Sequence, residues 1–260
     1  MLSSRARRLA AVSALTVLAG CATLAGANYY SVEQEWELGR QIEAQLNRDL
    51  RLVNDRTLTG YVNRIGQDVV RQTDAAQLPW RFYVVADDAI NAFNVPGGLV
   101  YINTGLIAQS GSAAELAGAI AHEVGHGVAR HGTKRLSKAN ELNAVAGATL
   151  GRNPNVAAAI AAQIAAQGAF AKFSRTDERE ADRLGVQYMA GAGYDPRGLA
   201  NLLDRLAAGE QSGGVAFFRT HPLSSERRRT VQSLARPYQG RSLRMNDSQF
   251  SSVRSRAARY

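Results

Sequence analysis

The chain of 260 residues is 45% hydrophobic and 20% charged, enough apolar material for a core of its own that needs neither metal nor disulfide merely to fold. Its single cysteine excludes an intrachain disulfide. The formal charge of +9 comes with no recognisable nucleic-acid-reading module, which argues against nucleic acid as a partner and leaves anionic lipid, an acidic partner or plain solubility.

Arg5, Arg7 and Arg8 precede an apolar run from Leu9 to Leu18 that is too short for an ordinary transmembrane helix. This is the pattern of a secretory signal over residues 1–20. The run ends in LAGC, Leu18 to Cys21, which resembles the lipobox of bacterial lipoproteins. Processing there makes Cys21 the acylated first residue and 21–30 a lipidated linker. Ala22 stands where aspartate is associated with inner-membrane retention, so the same resemblance implies attachment to the outer membrane, facing the periplasm. A plain signal peptide or membrane anchor is the competing reading. Without the three signal arginines the charge falls to +6, concentrated in SSERRRTVQSLARPYQGRSLR and SSVRSRAARY near the C-terminus.

Further along, Trp36, Leu38, Ile42, Leu46 and Leu50 are spaced as one helical face, and a second helix is expected over Leu58 to Val70. Both are expected on the outside of the catalytic unit. WRFYVVADD (80–88) and GGLVYINTG (97–105) read as neighbouring strands, with NAFNVPGG as punctuation between them. Ser112 and Glu115 stand in capping-box spacing before an apolar stripe of Leu116, Ile120, Val124 and Val128 that ends near Gly132. Leu136 to Phe173 is alanine-rich and broken at GATLGRNPNV, giving two helical pieces that suit close packing or a movable cover equally well. Helices follow around Asp177 to Met189 and through Leu199, Leu202, Leu203 and Leu206, then a flexible AAGEQSGGV. Residues 237–260 read as a basic, peripheral or disordered tail.

The chemistry concentrates in AIAHEVGHGV. Residues four apart share a helical face, so His122 and His126 can direct ring nitrogens at one ion. Glu123, about 100 degrees round the helix, reaches a water in the open coordination position. Gly125 and Gly127 each cost about 1 kcal/mol of helix stability and so imply a close neighbour or room around a metal. Read as five letters alone, the motif is equally open to two incidental imidazoles. A third ligand is suggested by SRTDEREADRLG, where Glu178 and Asp182 are again four apart beside small Ala181. His122, His126 and Glu178 make the three-ligand set of a catalytic zinc, with Asp182 placed to accept the other ring N–H of a ligating histidine. Taken alone, the same segment also reads as a charged, solvated helix face.

HEVGH, then EREAD, preceded by NAFNVPGGLVYINTGL, resembles the M48 peptidases over about Ser31 to Ala235, in particular periplasmic members that help maintain outer-membrane assembly. The resemblance implies an α+β fold, a mainly helical zincin-like domain over 31–236 with a small β-sheet beside the HExxH helix. It also implies one Zn2+ on His122, His126 and Glu178, Glu123 as base and Asp182 as support. The histidine of THPLSSER, His221, resembles the family's downstream His-Pro histidine, which stabilises the tetrahedral intermediate or fills the open position in a latent state. A capped turn before a basic helix is the plainer reading. Arg227 is expected to pair with a carboxylate near the cleft, Asn91, Ala92 and Phe93 to line the approach, and Leu99 to Ile102 to form the cleft edge; a strand pair buried under the active helix is the alternative. His131 is expected at the helix end or surface, off the ligand face. The family likeness implies a lipid-anchored zinc endopeptidase acting on unfolded or misassembled envelope proteins, with the outer-membrane assembly machinery as a possible partner. An anchored chaperone or assembly factor with little or latent proteolysis is the second reading. Lacking the tetratricopeptide array of longer members, the sequence resembles the short lipoprotein branch.

Overall fold

Ser31 opens the first helix with a reciprocal cap: its hydroxyl accepts from the Gln34 N–H, and the Gln34 side chain accepts from the Ser31 N–H. The computed structural model describes residues 28–143, 154–167, 172–210 and 216–260. The expected signal and Cys21 lie outside these residues, as do 147–153 of GATLGRNPNV and 211–215 of AAGEQSGGV, while the rest of those two segments falls within helices. Helix α1 (Val32–Asp49) buries Leu38, Ile42 and Leu46, while Trp36 and Leu50 are half-buried. Helix α2 (Arg56–Val70), capped by Asp55, buries Leu58, Val62, Ile65 and Val69 completely. It packs directly on the histidine-bearing helix and on the sheet rather than on the outside of the unit.

Three strands follow: β1 (Arg81–Val85), β2 (Ala92–Val95) and β3 (Leu99–Asn103), in the order β1-β3-β2. β1 runs parallel to β3, pairing Tyr83 with Tyr101, and β2 runs antiparallel to β3, pairing Phe93 with Tyr101. NAFNVPGG is therefore not only punctuation: its first half is an edge strand. Its second half is a tight turn in which Gly97 and Gly98 take φ of 89° and 80°, which a residue with a Cβ rarely adopts. The expected cleft edge at Leu99 to Ile102 is also corrected, because β3 is central and hydrogen-bonded on both sides. The edge strand near the metal helix is β2.

Alternation along the strands sorts two layers. Phe82, Val84, Ala92, Val100 and Ile102 face the larger core, and Val85, Phe93, Val95, Leu99 and Tyr101 face a second cluster with α1. After α3 (Thr104–Gln109) comes α4 (Ala113–Val128), then α5 (His131–Asn143) and α6 (Pro154–Gln167). The alanine-rich α6 packs on α1 and closes the second cluster through Ala157, Ile160, Ala161 and Ile164. Close packing, not a cover over the site, is what its small side chains serve there. The larger core is completed by α7 (Arg175–Gly191), α8 (Arg197–Glu210), α9 (Phe217–Thr220), α10 (Ser225–Ala235) and α11 (Phe250–Ala257). The fold is mainly helical with one small sheet. Among the described residues no helix is long and apolar enough to cross a membrane.

The tail departs from expectation. Residues 236–238 form a 3-10 turn, Tyr194 bridges to Arg244, and α11 buries Phe250, Val253 and Ala257. Those three positions make a single helical stripe that is obscured in the sequence by the arginines and serines around it.

Candidate metal centre

Helix α4 carries the centre, and its surroundings explain its composition. Ser112 accepts from the Glu115 N–H at 3.1 Å, but Glu115 does not return the bond to Ser112. Its carboxylate instead takes the Gly111 N–H and the Arg205 guanidinium. From Ala113 to His126 the helix is buried all round, not along one stripe, because α7, α8, α2 and β2 enclose it. Gly125 makes the α7 approach possible: a Cβ there would stand 2.9 Å from the Ala181 carbonyl oxygen. Gly127 leaves room for the side chains of Trp80 and Asn94.

This packing brings four donors together. His122 Nε2 lies 3.1 Å from His126 Nε2 and 3.2 Å from His221 Nδ1, while Glu178 Oε1 lies 3.0 Å from His221 Nδ1 and 3.4 Å from His126 Nε2. Ligand atoms about 2.0–2.1 Å from a tetrahedral zinc stand about 3.3–3.4 Å apart. The cluster, all of it buried, fits one such ion. His122, His126 and Glu178 are thus where the spacing puts them, and His221 joins as a fourth donor.

The remaining expected residues fall around this core. His122 Nδ1 meets Asp182 Oδ1 at 2.9 Å. Arg227, 4% exposed, donates to both Asp182 oxygens at 2.7 and 2.9 Å and lies 2.6 Å from Glu178 Oε2. Burial opposes charge on Asp182, yet Arg227 and His122 hold its carboxyl down to about 2. Burial likewise disfavours charge on Glu178, and the His221 and Arg227 side chains hold it well below the usual carboxylate range. For His122 burial is outweighed by hydrogen bonds to Asp182 and Glu178, which raise it to about 9. Burial keeps His126 well below the ordinary imidazole value.

Glu123 is fully buried, its carboxylate oxygens find no close hydrogen-bond partner among the described residues, and His221 Nε2 stands 3.4 Å from Oε1. Burial pushes its carboxyl up, against the pull of His221 and His122. A buried acceptor kept short of partners and raised in pKa is suited to taking a proton. Of the approach residues, Ala92 faces the α4 side, but Phe93 turns away and stacks on Tyr101 with centroids 5.1 Å apart.

Sequence reasoning missed three residues. Phe173 stacks on His126 at 3.9 Å and Phe217 on His221 at 4.4 Å, giving the rings apolar walls that no spacing signals. His131 is not at the surface: it is 1% exposed and its Nδ1 lies 2.9 Å from His126 Nδ1.

Residues 56–235 match Peptidase family M48. The chain belongs to that family. This M48 chain is 31% identical over 239 residues, 87% of its length, to the beta-barrel assembly-enhancing protease of Yersinia pestis, covering 49% of that protein. It is 29% identical to the protein of the same name from Escherichia coli K12, covering 76% of this chain and 43% of the relative. It is 30% identical to the mitochondrial metalloendopeptidase OMA1 of Schizosaccharomyces pombe, over 71% of this chain and 55% of the relative. The M48 chain therefore spans about half the length of the curated relatives it matches. Its site carries the metal-binding cluster of a metallopeptidase intact.

Proposed function

We propose that this protein is a zinc-dependent endopeptidase that hydrolyses peptide bonds in unfolded or misassembled envelope proteins, held by a lipid on Cys21 to the periplasmic face of the outer membrane. The observation that carries the activity is the buried four-donor cluster, whose ligand atoms all lie within 4.8 Å of one another, beside the buried carboxylate of Glu123. The names of the bacterial relatives support the envelope role.

When bound, zinc supplies Lewis acidity, polarising the scissile carbonyl and making water nucleophilic near neutral pH. His122, His126 and Glu178 would hold it. Asp182 fixes the His122 ring through Nδ1, and Arg227 keeps both carboxylates ionised and aimed. Glu123 takes the proton of the attacking water and returns it to the leaving amine. An extended substrate pairs along the β2 edge near Asn91 and Ala92, a backbone-led mode with weak side-chain selectivity that suits unfolded chains.

A specific observation favours a second, latent reading. His221 stands among the ligands, and the Phe217 N–H occupies the Ile90 carbonyl at 3.0 Å, at the entrance to the β2 edge. In this state the protein is closed, and a chaperone or assembly role with little proteolysis follows. Cleavage of unfolded outer-membrane protein, with and without chelator, tests both. Glu123→Gln is expected to lose about 10²–10⁴-fold in rate while keeping zinc. His221→Ala is expected to raise cleavage if the histidine holds the site shut, and to lower it if the histidine stabilises the oxyanion. No chelator-sensitive cleavage by the wild type or His221→Ala would reject the peptidase reading.

A further inference from the structure

We infer that His131 is a positioning residue for the metal site, accepting a hydrogen bond from the Nδ1–H of His126 and so fixing the tautomer and direction that aim His126 Nε2 at the ion. This rests on the metal reading above. His126 Nε2 faces His122 Nε2 at 3.1 Å, inside the ligand cluster. With that nitrogen committed to a metal, the ring proton sits on Nδ1 and needs an acceptor. The atom it meets is neither a carboxylate nor a carbonyl oxygen but His131 Nδ1, at 2.9 Å.

To accept there, His131 carries its own proton on Nε2. That nitrogen has an acceptor, Glu180 Oε2 at 3.2 Å, with the Asp177 carboxylate farther off at 3.8 Å. Donors and acceptors therefore run one way, from His126 through His131 to Glu180, whose side chain is 44% exposed. The two ligating histidines are supported differently: His122 leans on a buried carboxylate and His126 on an imidazole whose far side reaches a solvated one.

The backbone is shaped to deliver this contact. Had α4 continued, residue 131 would lie about 140 degrees round the helix from His126, facing away. Arg130 instead adopts φ 56°, uncommon for a residue with a Cβ, and the chain turns into α5 with His131 as its first residue. Glu35 and the Tyr30 carbonyl hold the Arg130 side chain, each at 2.6 Å. A left-handed arginine held from two sides at the end of the metal helix is local strain kept for a purpose, and what it brings into place is the His131 ring.

The test compares the wild type with His131→Asn, His131→Gln and His126→Ala. Zinc affinity is read by competition with a chromophoric chelator, beside the melting of the metal-free proteins and the visible spectrum of the cobalt-loaded ones. Asparagine puts its amide oxygen where Nδ1 stands and keeps the acceptor; glutamine carries the amide to the Nε2 position and loses it. His131→Asn is expected to bind zinc like the wild type. His131→Gln is expected to bind about 10–100-fold more weakly, with an altered cobalt spectrum and an unchanged metal-free melting temperature. His131→Leu, of similar bulk and without an acceptor, repeats the glutamine arm if that variant does not fold. Equal affinity in every His131 protein, or equal loss in the asparagine and glutamine variants, overturns the inference and leaves the metal site standing. Wild type that binds no zinc, or His126→Ala that binds it as well as wild type, removes the reading beneath it.

Discussion

Arg227 shows how one side chain ties the site to stability. It is buried between Asp182 and Glu178, so three charges share a volume that water does not reach. Removing one partner of such a set leaves the others uncompensated, at a cost of about 3–5 kcal/mol. Arg227→Met should lower the melting temperature of the metal-free protein accordingly. It also removes a positive charge beside the position of a divalent cation. Zinc should therefore raise the melting temperature more in the variant than in the wild type, since the ion takes over the neutralising role. Thermal denaturation with and without zinc measures both effects, and an equal zinc-induced rise would show that the guanidinium does not compete with the ion for these carboxylates.

Among the elements, the meeting of α4 and α7 decides whether there is a site at all. Gly125 and Gly185 let the backbones close: a Cβ on Gly125 would sit 2.9 Å from Ala181 O, and one on Gly185 would sit 3.3 Å from His122 N. Gly125→Ala removes a helix penalty of about 1 kcal/mol but forces a separation whose overpacking cost is about 1–3 kcal/mol. The net expectation is modest destabilisation with disproportionate loss of zinc affinity, because Glu178 moves with α7 while both histidines stay on α4. Denaturant titration and zinc competition on the same variant check this. Much of the pair was legible in the sequence: i,i+4 histidines, an i,i+4 acidic pair, and glycine and alanine at the contact. The edge strand β2 was not, since four residues holding an asparagine and bounded by Pro96-Gly97-Gly98 look like a turn, and burial of all four depends on layers supplied from elsewhere. His131 was hidden for a geometric reason, because helical spacing stops being a guide where Arg130 leaves the helical region.

On the scale of the whole molecule, the last residues of the chain complete the metal helix. The Ala113 N–H donates to Asn246 Oδ1 at 2.9 Å and the Ala114 N–H to the Met245 carbonyl at 3.0 Å, so two of the donors that every helix start leaves unpaired are supplied from the far end of the sequence. Helix α11 anchors that segment by burying Phe250, 4% exposed, against the same core that encloses α4. Phe250→Ala should cost about 3–5 kcal/mol, and at roughly 2–4 °C per kcal/mol for a chain of this size the melting temperature should fall by about 6–20 °C. The tail is also tied to α2: Arg256 pairs at 2.7 Å with Asp55, which caps α2 through the N–H groups of Thr57 and Leu58. The Leu58 N–H and Arg256 hold the Asp55 carboxyl below its ordinary value. A carboxylate with a depressed folded pKa contributes stability that is full above about pH 4, the ordinary aspartate range, and is lost as pH falls through the folded value. Asp55→Asn keeps the cap, because asparagine serves there about as well, but it cannot carry the charge. At neutral pH the variant should be less stable by no more than about 1 kcal/mol, the ceiling for an exposed pair. Below about pH 4 the two melting temperatures should converge, since protonation removes from the wild type what the substitution has already removed. A gap that persists unchanged at a pH low enough to protonate the wild-type carboxyl would show that the Asp55 charge is not what ties the tail to α2, and would leave the tail held by Phe250 and its apolar neighbours.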